Sequence, residues 1–350
     1  MSSEICFREA SPIEMEHWDE LVMQFPNYQI FHMFGWVKSI EAFSGARALF
    51  LIGEQNQKIV ACCPGLLYWF AGMRFFGSPR EGWQTECMGP AFNPEDVTTT
   101  NLISSFLRFL HRVYRVIYIE ISSRTLNQSE MRQLGFWEEP IPTLRTHFSA
   151  GGAGQMYKEL DGKTRNQLRK SIKLGLVAKI GQADDFVNIF YMQLEEVFKR
   201  RKVALPFSRE RVAVICKYLN NPVHLLPISV FLPDTNECIA SGIFLTANHE
   251  AYLWGWAHRQ EYGSYCPIEL LTWTAMEIAM QRGCTSLDFG GLGKAKTKYN
   301  SVLDNDNKRW MISSIPGLIQ SRFATRQAYR WQQKIRGQIN ARIRSKGTRK

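Results

Sequence analysis

The sequence predicts an α/β (α+β) protein of two sheet-and-helix halves followed by a basic tail. Three observations predict it. The 350 residues exceed what one hydrophobic core usually serves. Segments with apolar residues at helical spacing alternate with short apolar runs bounded by turn residues. A run of small residues, Ser149-Ala150-Gly151-Gly152-Ala153-Gly154, divides the body almost evenly and reads as a linker. With 45% hydrophobic and 21% charged residues the chain is expected to pack a core, which sets aside a disordered chain, a collagen-like chain and a coiled coil.

In order, Pro12 to Met23 carries Met15, Trp18, Leu21 and Val22 at helical spacing, and Met33 to Phe43 repeats the pattern with Phe34, Val37 and Ile40. Ala48 to Gly53 and Lys58 to Cys63 are apolar strands around the polar turn Glu54-Gln55-Asn56-Gln57, a β-hairpin. Leu102 to Tyr114 returns to helical spacing, Val116 to Ile121 is a strand, and Gly135, Pro140 and Pro142 announce a break. Beyond the linker come helices over 154–175, 183–199 and 208–219, then strands over 224–231, 237–246 and 250–258, a helix over 267–282 and a strand over 285–289. Each half thus runs from helices through a meander to a helix and a final strand, a repeat of pattern without a repeat of residues.

The net charge of +11 belongs to the end of the chain. After Asp306 stand 12 basic residues and no acid, which leaves 31 basic residues against 32 acids in the body, a balance of −1. From Ile319 the apolar positions Phe323, Trp331, Ile335, Ile339 and Ile343 fall largely at four-residue steps among arginines and lysines. A basic amphipathic tail of this kind suits an anionic membrane surface, an acidic carrier protein or tRNA, and equally a packed terminal helix. Met1 to Ala10 lacks the basic and apolar regions of a secretory signal, so the expected place is the cytoplasm, peripheral to the inner face of the membrane where the tail binds it. The longest apolar run, Ala61 to Met73, is broken by Pro64-Gly65 and is too short to span a bilayer. The eight cysteines show no CxxC pair and read as buried thiols, and the seven histidines lack ligand spacing, so no metal site is expected. HExxH, GxSxG and the phosphate-binding GxxxxGK[ST] loop are all missing.

Three constellations can carry chemistry. Arg165, Arg169 and Lys173 stack at i, i+4 steps on one helical face, which suits a phosphate-bearing ligand or a plain solvated face. Tyr252, Trp254, Trp256 and His258 alternate along a strand, so a regular strand places them on one face, as sheet packing or as an aromatic wall with His258 available as a base. Asp288-Phe289-Gly290-Gly291-Leu292-Gly293 ends a strand in a glycine turn followed by Lys296 and Lys298. Gly291 and Gly293 let backbone amides approach an anion, and Asp288 serves either as a turn cap or as a carboxylate in catalysis.

In this order the segments become recognisable. Lys163 to Lys170 followed by Gly175, Tyr252 to Trp256 with Tyr262, Pro267, Leu270-Leu271 and Trp273, and Gly283 to Lys298 resemble the second half of the FemABX-like transferases and the related GNAT-type acyltransferase domain of bacterial cell-envelope and exopolysaccharide proteins. Phe34-Gly35-Trp36 and Ile59 to Pro64 resemble that family's first half. The resemblance implies tandem GNAT-like domains, each with a mixed, largely antiparallel sheet, over 1–150 and 151–316, with the tail at 317–350. It also implies an enzyme of envelope or polysaccharide biosynthesis that moves an acyl group to an amine by direct attack. The donor it implies is acyl-CoA or acyl-carrier protein. An aminoacyl-tRNA donor, or a non-catalytic precursor-binding protein, is the alternative. No long heptad segment corresponds to the coiled-coil arm common in aminoacyl-tRNA-dependent members, which favours the thioester donors. By the resemblance, Lys298 stabilises an oxyanion or phosphate, Arg165 and Arg169 hold a phosphate-bearing substrate, and Asp288 is the base or the carboxylate that orients the acceptor.

Overall fold

A computed structural model describes residues 4–181, 185–322 and 324. Strand β1 (Cys6–Glu9) opens the chain, and the predicted first helix divides into α1 (Pro12–Glu16) and α2 (Trp18–Met23). Ser11 starts α1 through a reciprocal cap with Glu14. α3 (Phe34–Ser44) is closed by Gly45 at φ +68°. β2 (Arg47–Gln55), β3 (Lys58–Phe70) and β4 (Met73–Ser78) form an antiparallel meander. β3 continues past Pro64-Gly65, where the sequence predicts a stop. Pro64 lies between the residues that pair with β5 (Ala91–Phe92) and those that pair with β4, so on that flank no ladder bond is lost. Gly65 is required because a Cβ there would stand 2.1 Å from the ring of Phe76.

α4 (Thr99–Phe109) and β6 (Tyr118–Ser123) match their predicted segments, while α5 (Gln128–Gln133), β7 (Trp137–Pro140) and β8 (Thr143–His147) occupy the region predicted as a break. Of the linker, Gly152 to Gly154 form the first turn of α6 (Gly152–Glu159). The single helix predicted over 154–175 is two, because Asp161 accepts hydrogen bonds from the Lys163 and Thr164 N–H groups and starts α7 (Gly162–Lys173) afresh. There follow β9 (Val177–Ile180), α8 (Phe186–Arg201), α9 (Arg209–Tyr218), β10 (Leu225–Phe231), β11 (Cys238–Ala247), β12 (Glu250–His258), α10 (Pro267–Gln281), β13 (Ser286–Asp288), β14 (Val302–Asp304) and β15 (Lys308–Ser313). Apart from a helical turn that begins at Leu318, the basic tail lies outside the described residues.

Two mostly antiparallel sheets result. One has the order β1-β2-β3-β4-β6-β15-β7 with β5 beside β3, the other β14-β8-β13-β12-β11-β10-β9. Among the described residues only the pairs β4/β6 and β12/β13 are parallel, and each is joined across a helix, α4 or α10. The halves exchange strands: β8 lies in the second sheet and β15 in the first. A shared apolar layer lies between the sheets, where Trp18, Trp36, Phe50 and Phe75 of the first half meet Phe190, Ile215, Ile243 and Tyr252 of the second. The outer face of each sheet is closed separately, by α4 in the first half and by α6, α7 and α10 in the second. Six cysteines are buried thiols as expected; Cys6 is exposed and Cys238 half-buried.

Candidate functional site

The site opens where two parallel strands part. β13 pairs with β12 only over Glu250 to Tyr252 and ends at Asp288, while β12 runs on to His258. The edge of β12 from Leu253 onward therefore has no strand partner on that side among the described residues, and faces a cavity of about 460 Å³ walled by α8, the first turn of α10 and the 289–298 loop. A second cavity of about 230 Å³ reaches toward the first sheet and is lined by Glu86, Tyr252, Gly291 and Arg309. Both cavities touch Gln84, Leu253, Trp254 and Gly290, so they lie side by side along the seam between the sheets, the two arms of a candidate passage.

The aromatic residues of β12 do not share one face. Phe244 of β11 lies opposite Leu253 and Ile243 opposite Gly255, so Trp254 is the extra residue of a β-bulge and the alternation reverses across it. Tyr252 and Trp254 face the shared central layer, and Trp256 packs on the other side of the sheet near Phe289. Trp254 stacks on Phe207 at 4.3 Å between ring centroids. His258 lines the larger cavity, where burial and the nearby charge of Arg200 push it below its ordinary pKa.

Asp288 sits beneath the glycine turn, fully buried. Its Oδ2 accepts from Nη2 of Arg124 at 2.7 Å and Nη2 of Arg145 at 3.0 Å; its Oδ1 accepts from the Thr143 hydroxyl and from the Gly290 N–H at 2.9 Å. Arg145 also pairs with Glu250 and Asp304, and Arg124 with Glu250. With this many donors satisfied, the carboxylate fixes where the turn lies. The Thr143 hydroxyl accepts in turn from the Gly291 N–H, and Lys296 Nζ donates to the carbonyls of Gly290 and Gly291. Gly290 has φ +64°, and a Cβ there would fall 3.1 Å from both Glu86 Oε1 and the Leu253 carbonyl, so the turn can approach β12 only as glycine.

Lys298 stands in the wall of the larger cavity with its Nζ donating to Glu269 Oε1 at 2.6 Å. The α7 cations are elsewhere. Arg169 bonds Tyr157 and Asn166, Arg165 bonds the Lys158 carbonyl, Lys173 is exposed, and the α7 residue that lines the cavity is Gln167. Gly291 lines the smaller cavity.

Two residues are unremarked in the sequence, one that lines the smaller cavity and one buried behind Trp254. Glu86, in the irregular stretch between β4 and β5, lines the smaller cavity; burial and the charge of Asp288 behind it push its carboxyl up to about 8, against the pull of Arg124, Lys296 and Arg145. No periodicity marks it. Arg211 is 3% exposed on α9, over the ring of Phe43 at 4.2 Å and beside Trp254 at 5.9 Å, and its Nε and Nη2 have no partner among the described residues. Burial brings it down to about 9. The signal for it was readable: an arginine one helical turn before Ile215, on the apolar face of its helix.

Compared with protein families, residues 162–300 match the acetyltransferase (GNAT) domain. Among solved structures, FemX is 11% identical with a TM-score of 0.72 over 87% of this chain and 96% of that one. L-PGS from Bacillus licheniformis is 12% identical with a TM-score of 0.56 over 91% and 97%. A tandem GNAT protein from the clavulanic acid biosynthesis pathway is 10% identical with a TM-score of 0.51 over 89% and 99%. No curated protein sequence matches. At these identities the structural likeness is one of fold.

Proposed function

We propose, from the match of residues 162–300 to the acetyltransferase (GNAT) domain and the FemX-like fold, that the chain transfers an acyl group from acyl-CoA or an acyl-carrier protein to an amine of an envelope, polysaccharide or small-molecule acceptor. The observation that carries this reading is the parting of β12 and β13 over the larger cavity. An extended donor arm bearing amides can pair with the free edge of β12, as an added strand does, and deliver its thioester to the bulge at Trp254. Trp256 and His258 then border the donor, and Lys298, held by Glu269, supplies positive charge toward the thioester oxygen or a donor phosphate.

The acceptor amine enters through the smaller cavity. Its nitrogen attacks the thioester carbon, the new C–N bond forms as the C–S bond breaks, one amine proton passes to the ionised carboxylate of Glu86, and the same proton goes on through water to the departing thiolate, which leaves Glu86 ionised again. Glu86 suits that role because its carboxylate binds a proton readily near neutral pH. Asp288 acts by orientation, holding the Gly290-Gly291 turn against the passage. Arg211, whose Nε and Nη2 have no partner among the described residues, supplies positive charge from behind Trp254 toward an anionic group on the acceptor.

An aminoacyl-tRNA donor is the second reading. It is favoured by Arg169 and Lys173, which face solvent on α7 away from the cavity and can meet a polyanion outside it. The division at 150 and 316, and a station at the inner face of a membrane, complete the proposal; no described helix is long and apolar enough to cross a bilayer. Mass spectrometry of the purified chain with acyl-CoA, acyl-carrier protein and aminoacyl-tRNA, each with a mixed pool of amines, tests the reading. Acyl transfer from a thioester supports it; transfer from tRNA alone selects the second reading, and transfer from none overturns both.

A further inference from the structure

We propose that the tip of the β3–β4 hairpin docks the protein on an anionic lipid bilayer. Trp69 and Phe70 are each 56% exposed, although they are among the largest apolar side chains in the protein. They are consecutive residues of one strand and so point to opposite faces of the hairpin. Packing against this protein's own core would account for one of them, not both. The turn beyond them is tight, with Ala71 at φ +49° and Gly72 at φ +77° between the paired residues Phe70 and Met73. The result is a convex aromatic projection, a shape suited to entering a soft interface and unsuited to receiving a ligand.

The surroundings are cationic. Arg74 lies 5.9 Å from the Trp69 ring and donates from Nη1 to the Tyr114 carbonyl at 3.0 Å. That bond holds the helical turn Leu110–Tyr114 beside the hairpin, where Arg112, Val113 and Arg115 are exposed. Glu9, a carboxylate in reach, is engaged by Arg47 and the Tyr114 hydroxyl. The last described helical turn also lies near this hairpin. Ser314 N–H donates to the Ile117 carbonyl, and the Arg322 guanidinium lies 4.4 Å over Tyr118 and 5.9 Å from Phe75, the ring against which Phe70 rests at 5.8 Å. From 325 to 350 the sequence adds nine basic residues and no acid, with Trp331, Ile335, Ile339 and Ile343 among them. Exposed Trp and Phe at a tip and arginines at its base match the two requirements of an anionic lipid surface: an apolar anchor and positive charge at headgroup depth.

The test uses the full chain and cosedimentation at about 0.1 M salt with vesicles of phosphatidylglycerol and phosphatidylcholine, with phosphatidylcholine alone as the neutral comparison. The expected result is binding to the anionic vesicles only, weakened at least about tenfold in Trp69→Ser/Phe70→Ser and in Arg112→Glu/Arg115→Glu at unchanged melting temperature. Because all four side chains are exposed, both variants should fold, and each checks the other. Undiminished binding by the hairpin variant, or no binding by the natural chain, overturns the proposal. So does tighter binding to a tRNA pool that falls by the same factor in both variants, which would assign the surface to nucleic acid.

Discussion

Glu86→Gln separates a tuned proton acceptor from an ordinary cavity-lining carboxylate without any substrate in hand. The Glu86 carboxyl is raised from the ordinary 4.5 to about 8, chiefly by burial and then by the charge of Asp288. A carboxyl raised on folding favours the folded state while it is protonated. That contribution is fully present below pH 4.5 and is lost as pH rises through 8. Relative to the protonated state, the ionised group costs about 1 kcal/mol at pH 5, about 3 kcal/mol at pH 7 and about 5 kcal/mol at pH 9. Glutamine keeps the shape and removes the ionisation, so the variant should gain up to these amounts, with about 4 kcal/mol more gain at pH 9 than at pH 5. With an unfolding entropy of about 2.1 cal/mol/K per residue, that difference corresponds to a melting temperature raised about 5 °C more at pH 9 than at pH 5. Thermal unfolding by circular dichroism at the two pH values is the assay. An equal change at both, or a lower melting temperature at pH 9, would refute the reasoning, because neither is possible if burial holds the proton on. In a transfer assay the same variant should lose about 10²–10⁴-fold in rate while donor affinity is kept.

Asp288→Asn leaves Arg124 and Arg145 short of a carboxylate they share; Glu250 and Asp304 remain, so chemical denaturation should show a loss near 3 kcal/mol, the lower end of about 3–5 kcal/mol for breaking a buried pair. Lys298→Met strands the buried Glu269, and adding Glu269→Gln should recover part of the loss, with a coupling energy above about 1 kcal/mol in the double-mutant cycle; additive losses would show that the pair contributes nothing. Arg211→Met removes a buried cation with unpaired nitrogens, so unfolding measurements should show the fold gaining about 1–4 kcal/mol while affinity for a carboxylate-bearing or phosphorylated acceptor falls; a destabilised variant would mean that Arg211 serves packing alone.

Elements whose signal is local were legible in the sequence. β10, β11, β12 and α10 fall within two residues of their predicted spans, because each carries its own apolar periodicity or turn residues. β7, β8, β14 and β15 were not, since each is three to six residues long and acquires its strand character from partners far away in the chain, as when Arg145 lies opposite Asp288 and Trp310 opposite Ile121. The site divides along the same line. The glycine turn and the aromatic strand announce themselves in sequence, yet a single bulge at Trp254 turns the aromatic face into two. Asp288 could be read as base or as turn cap, and its two guanidinium partners, 164 and 143 residues away, favour orientation. They consume the lone pairs a base must offer. The proton then needs another carboxylate at the same passage, and Glu86 meets that need from the first half of the chain. It is brought there by the exchange of β8 and β15 between the sheets, which fixes the two halves across the shared layer. The chemistry proposed for residues 162–300 therefore depends on a residue outside them, as their sheet depends on β8.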